Sequence, residues 1–180
     1  MIFLTTLKQK DLSAVSAEQL LSQTPHAPSR IDRFTLTHID GDVNDHDLLS
    51  IINHSHMFVN PTKHALILAE SPWLNRQQLF FHVVRKLPLN LIQHVNYLNL
   101  QLDRGHVSHV IQSDVWAFTY PPAHNVSAHE LLSDAIVSSP SNHAPFGHPL
   151  IHTVSPLSYD EMNEMLGTLS HVNHDAKSLQ

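Results

Sequence analysis

His46-Asp47-Leu48-Leu49-Ser50 returns later in the chain as His129-Glu130-Leu131-Leu132-Ser133, and the similarity continues on both sides. Downstream, Pro61, His64, Leu66, Ile67, Ser71 and Pro72 are matched in order by Pro145, His148, Leu150, Ile151, Ser155 and Pro156. Upstream, Asp32, Phe34, Leu36 and Thr37 are matched by Asp114, Trp116, Phe118 and Thr119. A segment of this size used twice implies one supersecondary unit in two copies, each covering an apolar face that the other cannot bury alone.

Around the first copy, Arg33 to Ile39 alternates apolar and polar residues and reads as a half-buried strand. Asp40-Gly41-Asp42 reads as a turn, and 45–53 as a short helix with Leu48, Leu49 and Ile52 inward. The segments 56–59 and 64–69 read as short strands about the Asn60-Pro61 turn. Ser71-Pro72 predicts a helix start, because Ser caps and Pro fits the first helical position. That helix is expected to reach about Lys86, with Trp73, Phe80, Val84 and Leu87 inside and Pro88 as its stop. Leu98, Leu100 and Leu102 alternate, which predicts a strand over 91–102, and Asp103-Arg104-Gly105 predicts a tight turn into another strand, 106–112.

The second copy repeats the order. A strand over 114–120 is broken by Pro121-Pro122, and Ser127 with Glu130 forms a capping box for the next helix. After a polar loop come a strand over 149–154 and a helix capped by Ser158 and Glu161, extending to about His171 with Met162, Met165, Leu166 and Leu169 inside. The expected fold is α+β: tandem duplicated ferredoxin-like (split βαβ) modules whose antiparallel sheets pack as a pseudo-dimer. The divisions are 1–30, an N-terminal strand and helix; 31–104 and 105–172, the two repeats; and 173–180, a frayed tail. Ile2 to Leu7 is expected to add a strand to the sheet of the second half.

The chain has 180 residues and a formal charge of −6, and its 17 histidines outnumber the 10 lysines and arginines. Mild acidification therefore carries it through its pI of about 6.2. Histidine in place of Lys and Glu on the surface accounts for this composition. With no cysteine, disulfides, thiolate nucleophiles and Cys-ligated metals are excluded. A nucleic-acid binder relying on counterion release needs a basic stripe, and the bases cluster no further than Arg85-Lys86. Neither a leader pattern at the start nor an apolar run of bilayer length is present, so the expected setting is soluble and cytoplasmic, with no membrane partner.

Histidine spacing supplies the candidate chemistry. On a strand, His54 and His56 would share a face, and His64 would approach from a neighbour, giving a Zn or Fe site that Asp45 or Asp47 could complete. The competing reading places His54 at a helix end, near the negative pole of the dipole, and His56 and His64 in solvent. His148 and His152 would share a face and could transfer protons. His64 and His148, which the repeat retains, fit a structural role at the mouth of a turn. Trp116 and Tyr120 either line a cleft between the modules or pack in the core.

Familiar signatures fail. The segment beginning His129-Glu130 has Ser133 where a zinc-protease helix needs its second His. Asp40, Asp42 and Asn44 imitate a calcium loop, but Ile51 stands in place of its bidentate Glu. Four glycines leave no phosphate-cradling loop. The expected function is a non-enzymatic module that binds a small molecule or a protein partner without a cofactor. The alternatives are a metal-dependent or general-base enzyme using Zn or Fe in the cleft between the repeats, and a collective histidine pH sensor that changes association state; a homo-oligomer is among the expected partners.

Overall fold

The structure, a computed structural model, describes residues 1–22, 27–68, 71–121, 127–131 and 151–167. In chain order these form β1 (Ile2–Leu7), α1 (Leu12–Leu21), β2 (Arg30–Asp42), α2 (Asp45–His54), β3 (His64–Ile67), β4 (Gln78–Arg85), α3 (Ile92–Gln101), β5 (His106–Thr119), α4 (Ala128–Leu131), β6 (His152–Leu157) and α5 (Tyr159–Gly167). The strands make one six-stranded sheet in the order β3-β1-β2-β5-β4-β6, and every neighbouring pair is antiparallel. Among the described residues no helix is long and apolar enough to cross a membrane.

Side chains alternate across a strand, so residue parity assigns the two faces. On one face, Ala14, Ala17 and Leu21 of α1 and Leu131 of α4 bury Ile31, Phe81, Val83, Trp116 and Phe118. Farther along the same face, Leu48 and Ile52 of α2 and Leu98 of α3 cover Phe3, Ile39, Val107 and Val110. The opposite face carries Leu4, Phe34, Leu36, Ile67, Phe80, Val115 and Ala117 beneath Met162 and Leu166 of α5. Helices therefore cover both sides of the sheet, and the first face bears two separate apolar clusters.

Caps and turns follow local chemistry. Asp11 and Asn44 accept from the backbone N–H groups of Ser13 and His46 at 2.8 Å and so cap α1 and α2. Both expected capping boxes form: Glu130 accepts from the Ser127 backbone N–H at 3.0 Å, and Glu161 from that of Ser158 at 2.7 Å. Gly105 turns the chain at φ 87°, and Gly41, at the register shift between β2 and β5, brings the two backbones together where a Cβ would meet His106 O at 2.2 Å.

Several expectations need correction. The stretch 71–86 is not a helix: 78–85 is strand β4, with Phe80 on one face and Phe81 on the other. A strand buried on both sides reads as an unbroken apolar run, which helical spacing also fits. The segment 91–102 holds a helix, α3, because Leu91, Val95, Leu98 and Leu102 recur at helical spacing and face α2 and the sheet, whereas Leu100 is exposed. The strands expected on either side of Ser113 are one strand, β5, and 56–58 forms a turn.

β1 pairs with β2 and β3 of its own half rather than with the second half. The strands joined by α1, and those joined by α3, are adjacent and antiparallel, unlike the spaced parallel strands of a split βαβ unit. Two stacked sheets are not seen among the described residues. The residue register of the repeat also fails, because Arg33 is the ladder partner of Trp116, which places Trp116 on the face opposite Phe34.

Candidate functional site

Between the two apolar clusters, the helix-covered face turns polar. Ile31 and Ile39 of β2 are buried, yet the residues between them on that face are Arg33, Thr35 and Thr37, and their ladder partners on β5 are Trp116, Asp114 and Gln112. Thr37 is 1% exposed and accepts from Gln112 Nε2 at 3.2 Å. Arg33 is half-buried. Its Nε and Nη2 donate to Asp114 Oδ1 at 3.2 and 3.1 Å, and its Nη1 donates to Ser13 Oγ at 3.3 Å and lies 3.9 Å from Asp11 Oδ2. The guanidinium carbon sits 5.6 Å from the centre of the Trp116 ring, a cation–π contact that adds to the ion pair.

Two open clefts share this arginine. The larger, about 470 Å³, lies between the β1–α1 turn and the start of β2. Several of its charged side chains are already hydrogen-bonded within the protein: Arg30 donates to Asp32 at 2.7 Å, Lys8 to Pro61 O at 2.7 Å, and Glu18 accepts from the Ile31 backbone N–H at 2.9 Å. The smaller, about 250 Å³, lies over the sheet beyond Arg33 and is lined by Thr35, Arg85, Gln112, Asp114 and His152, among others. Arg85 is exposed and makes no ion pair or side-chain hydrogen bond among the described residues. This arrangement supplies charge-assisted donors and a carboxylate acceptor for a polar ligand.

Among the described residues the histidines are dispersed. His54 ends α2, with Nδ1 2.7 Å from Ser50 O, and His56 is exposed in the following turn, so the strand face they were expected to share is absent. His64 opens β3, and its Nδ1 accepts from the Asn60 backbone N–H at 3.2 Å, closing the turn after Pro61. Among the described residues no group of three or more His, Asp or Glu is placed to hold a metal ion. His148 lies outside the described residues. His152 starts β6 opposite Arg85 and lines the smaller cleft.

Trp116 is buried beneath Arg33, and Tyr120 belongs to the cluster under α1, where burial pushes its hydroxyl up to about 12. On the other face of β4, His82 Nε2 lies 2.7 Å from Ser113 Oγ, and burial holds its pKa below the ordinary value.

Sequence reasoning missed Arg33, Arg85, Gln112 and Asp114. A signal for the first was present: a charged residue in register with two buried isoleucines, on the face opposite Phe34 and Leu36, belongs on no ordinary apolar face. Comparison with family models, with curated proteins and with solved structures returns no match.

Proposed function

We propose that the chain is a binding module for a small polar molecule, seated where two copies of a β-α-β-α-β unit meet. The observation that carries this reading is the polar strip centred on Arg33, open to two clefts, where the sheet would otherwise continue its apolar packing. Partly burying an arginine and an aspartate in place of packed aliphatic residues contributes little or nothing to stability, so a use at the surface is the better account of them. The larger cleft falls within the roughly 300–1,000 Å³ typical of small-molecule sites.

The duplication has support in the topology. Exchanging β1, β2 and β3 for β4, β5 and β6 leaves the strand order unchanged. One register of that exchange carries Phe3 opposite Thr37 onto Phe81 opposite Trp116, and Leu7 opposite His64 onto Arg85 opposite His152. In that register Thr35 and Asp114, which are ladder partners, would be equivalent positions, and a twofold axis between them would fall at the smaller cleft. A binding site on such an axis draws on both halves.

Thermal denaturation against a library of small polar compounds tests the reading. A ligand at about 100 times its Kd adds about 2.7 kcal/mol, or roughly 5–10 °C in a chain of this size. The expected result is such a rise, lost in Gln112→Leu and Thr35→Val. No stabilising compound, or stabilisation that both variants retain, would overturn it and return attention to a protein partner.

A further inference from the structure

Resting on the reading of the cleft as a small-molecule site, we infer that its smaller lobe takes an oxyanion group of the ligand, a carboxylate or a phosphate, with Arg85 as the principal donor. Arg33 and Asp114 neutralise each other across the β2–β5 ladder, so Arg33 offers its remaining hydrogens rather than a net charge. Arg85 differs: it lines the same lobe from the end of β4, is exposed, and faces no acid within ion-pair distance among the described residues. With Arg33 shared between Asp114 and Asp11, Arg85 is the lobe's guanidinium without an ion pair among the described residues, on a chain whose formal charge is −6.

The neighbouring groups suit the same ligand. Gln112 commits one amide hydrogen to Thr37 and keeps a second for the lobe, and His152 stands beside Arg85 across the β4–β6 ladder. A planar guanidinium fork matches two oxygens of a carboxylate or phosphate with parallel hydrogen bonds, a geometry no neutral hydroxyl reproduces. At about 250 Å³ the smaller cleft lies below the range of drug-sized pockets, and it suits one small charged group.

The test is a nuclear magnetic resonance titration of the full chain at low salt, with inorganic phosphate in one arm and malonate in the other. Saturable shifts confined to residues around Arg33, Arg85, Gln112 and His152 are expected, and the tighter-binding arm identifies which oxyanion the lobe prefers. Arg85→Gln, at an exposed position, should weaken binding about tenfold or more, from the loss of a charge-assisted pair. Asp114→Asn, which removes the competing carboxylate from Arg33, should tighten it. Shifts elsewhere, shifts that never saturate, unchanged affinity in Arg85→Gln, or weaker binding in Asp114→Asn would each overturn the inference. A neutral compound that stabilises the protein while neither anion binds would discard the oxyanion and leave the binding module standing.

Discussion

Two leucines two residues apart in α3 provide a sharp test of the fold. Leu98 is 0% exposed and packs among Phe3, Ile39, Leu48, Ile52, Val107 and Val110, whereas Leu100 is 82% exposed. Truncating a fully buried leucine to alanine removes its transfer free energy and leaves a cavity, together about 2–5 kcal/mol. The same truncation at an exposed helical site falls within about 0.5 kcal/mol of zero, since alanine is at least as good a helix former. With a urea m-value of about 2 kcal/mol/M, Leu98→Ala should lower the unfolding midpoint by about 1–2.5 M, while Leu100→Ala leaves it nearly in place. Circular dichroism during urea titration reads both. On a strand the two side chains would share a face and the two substitutions would cost alike, so equal midpoint shifts would refute the helix and the cluster beneath it.

Two further outcomes are expected. Gly105→Ala should destabilise by about 1–3 kcal/mol, because φ is 87° and a Cβ would lie 2.4 Å from Asp42 O, while Gly167→Ala, with nothing within 4 Å of its Cβ, should not; thermal unfolding of the pair decides this. Burial holds the folded-state pKa values of His82 and His94 below the ordinary 6.5, so the unfolded chain takes up protons that the folded chain refuses. Their contribution to stability is complete above pH 6.5 and is lost as pH falls below it; His82→Gln should flatten the fall in urea midpoint between about pH 7 and 5, and an unchanged slope would refute the assignment.

What the sequence made legible was mostly local. The capping pairs Ser127–Glu130 and Ser158–Glu161, the turn at Gly105, the strand about Phe34 and the helix after Asn44 all rest on neighbours within a few residues, and all form. The errors arose where two periods coexist. Phe80, Phe81, Val83 and Val84 satisfy a helix as well as a strand covered on both faces, and in 91–102 the alternation of three leucines masked the helical series Leu91, Val95, Leu98 and Leu102. The cleft was hidden for a different reason: Arg33, Arg85 and Asp114 come from three strands, and only the β2–β5 and β4–β5 ladders bring them together.

The ladder between β2 and β5 has a consequence for how the chain reaches this state. It runs from Arg30 opposite Thr119 to Asp42 opposite His106, so every rung joins residues far apart in sequence, as do those of the β4–β6 ladder, whereas the β1–β2 and β4–β5 ladders join much nearer residues. Such distant pairing is entropically expensive to initiate and sets a slow pace for refolding. The β1–β2 and β4–β5 pairs can therefore organise first, and the central seam that joins them closes later. At high concentration the same unsatisfied seam would capture the complementary strands of a second molecule, so dilution during refolding favours closure of the seam within one chain.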